Sequence, residues 1–81
     1  MDTDRIRRWL IVYLAILVGE PSESIEANVP FSRFDIDSVD AVQMAAEFEK
    51  AFAVEIGPEF FLRGELTLDE MVALIAETAV V

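Results

Sequence analysis

The chain has 81 residues, 54% of them hydrophobic, and a formal net charge of −10 from 16 acidic and 6 basic side chains; that leaves room for one small core and too little scaffold for a large catalytic cleft. Cysteine and histidine are both absent, which excludes disulfides, thiol nucleophiles and any Ser-His or Cys-His machinery. The acidic balance opposes binding to nucleic acid and to anionic membranes, and it suits partners that present Lys and Arg.

The first predicted element is a helix from Asp4 to Val18. Thr3 is a suitable cap, Ile6, Leu10, Tyr13, Leu14 and Leu17 recur at helical spacing, and Gly19 followed by Pro21 stops the helix. Its stretch from Trp9 to Val18 is wholly apolar behind Arg5, Arg7 and Arg8, which invites a reading as a membrane span or a signal peptide. A span needs roughly 20 apolar residues, far more than this run offers. A polar turn, Gly19-Glu20-Pro21-Ser22-Glu23, stands where a signal would place its small-residue cleavage site, and Asp2 and Asp4 spoil the basic leader. The run reads instead as a core helix with two buried faces.

From Glu20 to Asp37 there is no period; Pro21 and Pro30 interrupt the chain, and Ile25, Val29, Phe31 and Phe34 are scattered as anchors for a long loop. Loops this long are uncommon unless they are functional. The second helix is expected from Ser38 to about Phe52, with Asp37 as N-cap and Asp40 adding charge in the first turn, where the macrodipole favours it. A short helix follows, signalled by Gly57 and by Pro58 at its first position, continuing through Glu59, Phe60, Phe61 and Leu62 and closed by Arg63 and Gly64. The last helix opens on a capping box, Thr67-Leu68-Asp69-Glu70, and buries Leu68, Met71, Val72, Ile75 and Ala79. Ala53-Val54-Glu55-Ile56 alternates too briefly to make a strand, and a lone strand has no partner. The expected fold is all-α: a bundle of three main helices plus one short helix, with a long loop between helices one and two, in a single domain spanning residues 1–81.

Chemistry concentrates in Phe34-Asp35-Ile36-Asp37-Ser38-Val39-Asp40-Ala41-Val42, where three carboxylates and a serine meet at the start of a helix. A calcium loop beginning at Asp35 needs a ligand at its fifth place, glycine at its sixth and glutamate at its twelfth; the chain has Val39, Asp40 and Ala46 there. Asp35-x-Asp37-x-Val39 also resembles the nucleophile motif of haloacid-dehalogenase-type phosphatases. That motif belongs at the end of a buried strand in a doubly wound sheet, whereas Pro30-Phe31-Ser32-Arg33-Phe34 is a poor strand in a chain too short for such a sheet. The third reading starts from Ser38: a hydroxyl at the first position of a helix lies beside free N–H groups and the positive end of the dipole, a favourable place for a phosphodiester.

Around the second helix, steps of about 100° put Ala41, Met44, Ala45, Phe48 and Phe52 on one side, the core. The other side carries Asp40, Gln43, Glu47 and Lys50, together with apolar Val39 and Ala46 on the face next to Ser38. Apolar contacts ringed by acids make a small docking stripe, formed by Asp37, Val39, Asp40, Gln43, Ala46 and Glu47.

Asp37-Ser38-Val39 followed by Asp40-Ala41-Val42 resembles the Asp-Ser-Leu phosphopantetheine attachment motif of acyl carrier proteins. The likeness runs from about Phe31 to Ile75: Phe48-Glu49-Lys50-Ala51-Phe52 is similar to the Leu-Glu-x-x-Phe end of the family's second helix, Ile56 to the isoleucine before helix three, and Thr67-Leu68-Asp69-Glu70-Met71 to the Thr-opened last helix. Three positions depart from the pattern. Phe34-Asp35 stand where the family usually has Leu-Gly, Val39 replaces leucine, and Lys50 replaces what is often an acid. Asp35 adds charge near the attachment site and bears on which transferase or ketosynthase docks; Val39 looks more like polyketide or specialised lipid pathways than the housekeeping fatty-acid carrier, and the Gly-Gly pair of peptidyl carriers is missing.

The resemblance implies a cytoplasmic, monomeric carrier without catalytic or metal-binding residues of its own. A phosphopantetheinyl transferase with magnesium would use the Ser38 hydroxyl to attack the β-phosphate of coenzyme A, leaving covalent 4'-phosphopantetheine whose thiol holds acyl groups as thioesters. Ketosynthases, acyltransferases or acyl-activating ligases with basic surfaces would then meet the helix-two face. The family analogy also suggests that an acyl chain slips between helices two and three, lined by Met44, Phe48, Phe60 and Phe61, although those residues also read as ordinary core. A helical adaptor that binds a partner without any prosthetic group is the alternative, since an acidic helix with apolar spots fits that as well.

Overall fold

Three helices carry the architecture in the computed structural model, which describes residues 2–78: α1 (Thr3–Val18), α2 (Ser38–Phe52) and α3 (Leu68–Thr78). Three short 3₁₀ turns, Ser22–Ser24, Phe31–Phe34 and Pro58–Leu62, lie in the connections. No strand forms among the described residues; Pro30 faces Thr67 in an isolated antiparallel bridge. The all-α bundle is the one expected, with α2 bounded by the expected residues and the Pro58–Leu62 segment adopting the tighter 3₁₀ winding usual in short pieces.

The ends of the helices explain themselves locally. At the start of α1 the capping residue is Asp2, not Thr3: the Asp4 N–H donates to Asp2 Oδ1 at 2.9 Å, and Thr3 is already helical. Both are good cap residues, and the carboxylate one place earlier captures the second helical amide. Gly19 closes α1 with φ 73°, a left-handed conformation in which only glycine escapes a Cβ penalty. The capping box of α3 forms in both directions: Thr67 N–H donates to Glu70 Oε1 at 2.8 Å, and Glu70 N–H to Thr67 Oγ1 at 3.1 Å.

One hydrophobic cluster joins the elements. Ile6, Leu10 and Leu14 from α1 meet Ala41, Met44, Ala45 and Phe48 from α2 and Leu68, Met71, Val72 and Ile75 from α3. Ala79, expected to extend the α3 stripe, lies outside the described residues. Tyr13, Leu17 and Phe52, read as core, are half-buried at its margin. Trp9 packs edge-on against Phe48 and Phe52, with centroids 5.3 and 6.0 Å away, and stacks on Tyr13 at 5.1 Å. Contrary to the expectation of two buried faces, α1 buries one: Val12 is exposed and Ile16 lies in solvent. Neither side chain packs against the hydrophobic cluster.

The long connection between α1 and α2 is fastened rather than loose. Ile25, Ala27 and Phe31 are buried, Val29 and Phe34 are half-buried, and Ala27 is an anchor that hydrophobicity alone did not single out. Backbone bonds tie the loop to the approach to α3: Phe31 N–H to Leu66 O at 2.7 Å, Ser32 N–H to Gly64 O at 3.1 Å and Asp69 N–H to Ala27 O at 3.1 Å. A Cβ at Gly64 would sit 3.0 Å from Ser32 Cβ, a tight contact that the Ser32 segment would have to yield to by a few tenths of an ångström. No polar or charged side chain is buried among the described residues, and ion pairs such as Arg7–Asp69 at 3.0 Å are exposed, where each contributes little. No described helix is long and apolar enough to cross a membrane.

Candidate functional site

The segment leading into α2 turns sharply before the helix begins. Phe31–Phe34 winds as a 3₁₀ turn, Phe34 packs on Phe31 with centroids 5.4 Å apart, and Asp35 reverses the chain with φ 54°. Aspartate tolerates this left-handed conformation better than most residues do because its short carboxylate can bond locally. Ile36 is half-buried and anchors the chain, and Asp37 is extended, so that its carboxylate turns back over the helix and accepts the Asp40 N–H at 2.8 Å. The carboxylates of the motif therefore do separate things. Asp37 caps, Asp35 sits at a backbone reversal, and among the described residues no group of three or more carboxylates is arranged to hold a metal ion.

Ser38 is the first residue of α2 and is exposed. Its side chain takes part in no hydrogen bond among the described residues, because the capping work is done by Asp37. The N–H groups of Ser38 and Val39 precede the first intrahelical donor, Ala41 N–H to Asp37 O at 3.0 Å, and have no backbone or side-chain acceptor among the described residues. A free hydroxyl thus stands beside two uncommitted donors at the positive end of a 15-residue helix. A phosphodiester attached to that oxygen would find those donors within its own turn, which is the fit a phosphate-bearing group requires.

Next to Ser38 lies the apolar stripe. Val39 is 71% exposed and Val42 56% exposed, with Gln43 and Ala46 exposed beside them. Val42 was not among the expected docking residues, yet its place one turn after Ser38 on the helical wheel was available from the spacing alone. Asp40 and Glu47, expected on the open face, are only partly exposed. Their charges are felt by Tyr13 of α1, whose phenol is pushed above its ordinary pKa by burial first, then by Glu47, then by Asp40. Lys50 folds back to Glu47 at 3.5 Å. Met44, Phe48 and Phe61 are fully buried, Phe60 is half-buried, and Phe48 and Phe61 face one another with centroids 6.4 Å apart. Phe61 also borders a groove of about 180 Å³ shared with Phe31, Asp35, Ile36 and Leu62.

The family model of the phosphopantetheine attachment site matches residues 8–75, taking in all of α2 and most of α1 and α3. The chain belongs to this family. Members are carrier domains that bear covalently attached 4'-phosphopantetheine, the cofactor of this chain; such domains are not catalytic themselves and interact with modifying transferases and biosynthetic enzymes. No curated protein sequence matches the chain. Asp35, where the carrier pattern usually has glycine, is left-handed here, a conformation that glycine adopts without a Cβ penalty.

Proposed function

We propose that Ser38 receives the 4'-phosphopantetheine arm and that residues 1–81 act as one acyl carrier domain, without catalytic activity of its own, in a cytoplasmic polyketide or fatty-acid-like pathway. The observation that carries the reading is the exposed Ser38 hydroxyl, outside any hydrogen bond among the described residues, at the start of α2. In the transfer the Ser38 oxygen attacks the β-phosphate of coenzyme A, its proton passes to a base on the transferase, and adenosine 3',5'-bisphosphate leaves. The chain supplies the nucleophilic oxygen, the N–H groups of Ser38 and Val39 that receive the phosphate charge, and the Asp37 cap that keeps the turn in place. The attached arm supplies a terminal thiol that holds acyl groups as thioesters.

Docking of a phosphopantetheinyl transferase, and then of ketosynthases, acyltransferases or acyl-activating ligases, is assigned to Asp37, Val39, Gln43 and Ala46, with Val42 added and with Asp40 and Glu47 at the α1 edge. A few apolar contacts ringed by carboxylates give fast encounter with basic surfaces and short residence, which suits a shuttle visiting several enzymes. Valine rather than leucine at Val39 supports a polyketide or specialised lipid pathway. An acyl chain entering between α2 and Pro58–Leu62 would have to part Phe48 from Phe61, so its sequestration there requires the aromatic core to open.

Intact mass after incubation with coenzyme A, magnesium and a broad-specificity phosphopantetheinyl transferase tests the assignment. One added phosphopantetheinyl group on the parent and none on Ser38→Ala, with unchanged circular dichroism, is the expected result. An arm still added to Ser38→Ala moves the site elsewhere, and no addition to the parent by several transferases leaves the adaptor as the better reading.

A further inference from the structure

The exposed large apolar side chains fall into separate places. Val39 and Val42 stand beside Ser38, whereas Val12, 45% exposed, and Ile16, 78% exposed, stand on α1. Single exposed apolar residues mean little. These two are four residues apart, so they lie one above the other on the helix, and Arg8, four residues before Val12, continues the line. Beside them a groove of about 320 Å³ is lined by Arg5, Arg8, Trp9, Val12, Ala51 and Phe52. Val12 also borders a second groove, with Ile16, Gly19 and Glu20. From Arg5 to Ile16 the stripe is roughly 16 Å long at 1.5 Å per residue.

Its charge runs against that of the molecule. In a chain with 16 acidic and 6 basic side chains, each guanidinium has many carboxylates to choose from, yet neither Arg5 nor Arg8 forms an ion pair among the described residues. Arg5 lies over the Phe52 ring, 5.5 Å from its centroid, which holds the cation at the groove without neutralising it. Arg7, one residue before Arg8, is by contrast paired with Asp69. The first groove therefore presents two cations outside any ion pair among the described residues over an aromatic and aliphatic floor, and the groove beyond Val12 carries a carboxylate, Glu20.

We infer that this face of α1 is a second docking site, and that its occupant is an amphipathic segment of another polypeptide with carboxylates at the end that meets Arg5 and Arg8 and apolar side chains over Val12 and Ile16. An anionic bilayer is repelled by the net charge of −10 and by Glu20 at the far end, and a second copy of so acidic a chain is opposed by the same charge. The site is separate from the arm: it is formed by α1 and the last residues of α2 and does not include Ser38.

The sole tryptophan, Trp9, lies in the groove and reports its occupation. The probe is a capped helical peptide of about 14 residues, long enough to span the stripe, with two glutamates in its first turn, a leucine stripe and two lysines in its last turn. Saturable change in Trp9 emission is expected, with amide shifts confined to α1 and the end of α2. Binding weakens at least about tenfold in the Arg5→Glu, Arg8→Glu double variant and at high salt. Ile16→Glu, a change at a solvent-facing position that leaves the Arg5–Phe52 contact intact, weakens it comparably, and Ser38→Ala leaves it unchanged. No saturable change at millimolar peptide, equal binding of a peptide with its charges exchanged end for end, or shifts centred on Val39 and Val42 would overturn the inference. So would binding to anionic vesicles, or self-association abolished by Ile16→Glu, each of which assigns the face to a different occupant.

Discussion

The two ends of α2 are built on opposite terms. Its N-terminal end is wet: Asp37 caps it, Ser38 and Val39 face solvent, and the side chains around the first turn are held by one carboxylate–amide bond. Its C-terminal end is dry and crowded, with Phe48 fully buried, Phe52 tilted against it at 4.6 Å, and Trp9 edge-on to both. Each end borders a left-handed residue that is not glycine, Asp35 with φ 54° before the helix and Ala53 with φ 57° after it. The difference teaches that stability and access have been placed at different ends of one helix, so that a substitution at one end should register mainly in one property.

The largest expected effect breaks the dry end. Phe48→Ala removes a ring in contact with Trp9, Phe52 and Phe61, and should cost about 3–5 kcal/mol in chemical denaturation, a large share of the stability of a small domain. At the wet end Asp37→Ala should cost about 1 kcal/mol by loss of the cap, while slowing modification by a transferase; an unchanged rate would separate the cap from the chemistry.

Smaller still are the two left-handed residues. Ala53→Gly relieves a Cβ strain at a helix C-cap and should stabilise by about 1 kcal/mol or less, seen as a rise of several degrees in Tm. Asp35→Gly should gain less, because aspartate already tolerates the conformation. The smallest effect is a titration between the helices. Tyr13, the only tyrosine, should ionise above its ordinary value of 10.0 because burial, Glu47 and Asp40 all favour the neutral phenol. The fold's preference for neutral Tyr13 is fully present below that value and is lost as pH rises through the raised one. Ultraviolet titration of Glu47→Gln should show the midpoint moving down.

Where the signal was local, the fold was legible. Asp37, the following apolar spacing and the Thr67–Glu70 box act within one turn, and they marked the boundaries of α2 and the start of α3. The 3₁₀ turns of the loop were not legible, since the backbone around them is held by bonds to residues far along the chain, such as Phe31 N–H to Leu66 O. For the same reason the loop's anchors were visible as residues while its path was not. Around Ser38 the hydroxyl and its cap could be read directly. The position of Asp40 and Glu47 could not, because it depends on how α1 lies against α2, a matter of packing that no single-helix wheel contains. Asp35 was seen as a charge because composition is easy to read and a dihedral angle is not.

The division of labour between Asp37 and Ser38 sets an order of events. Because the neighbouring carboxylate holds the helix, the serine oxygen owes nothing to the fold. If Ser38 bears the arm as proposed, the fold does not depend on whether the serine is loaded, because the cap is made by Asp37. On the proposed assignment of the arm to Ser38, maturation is a step separate from folding.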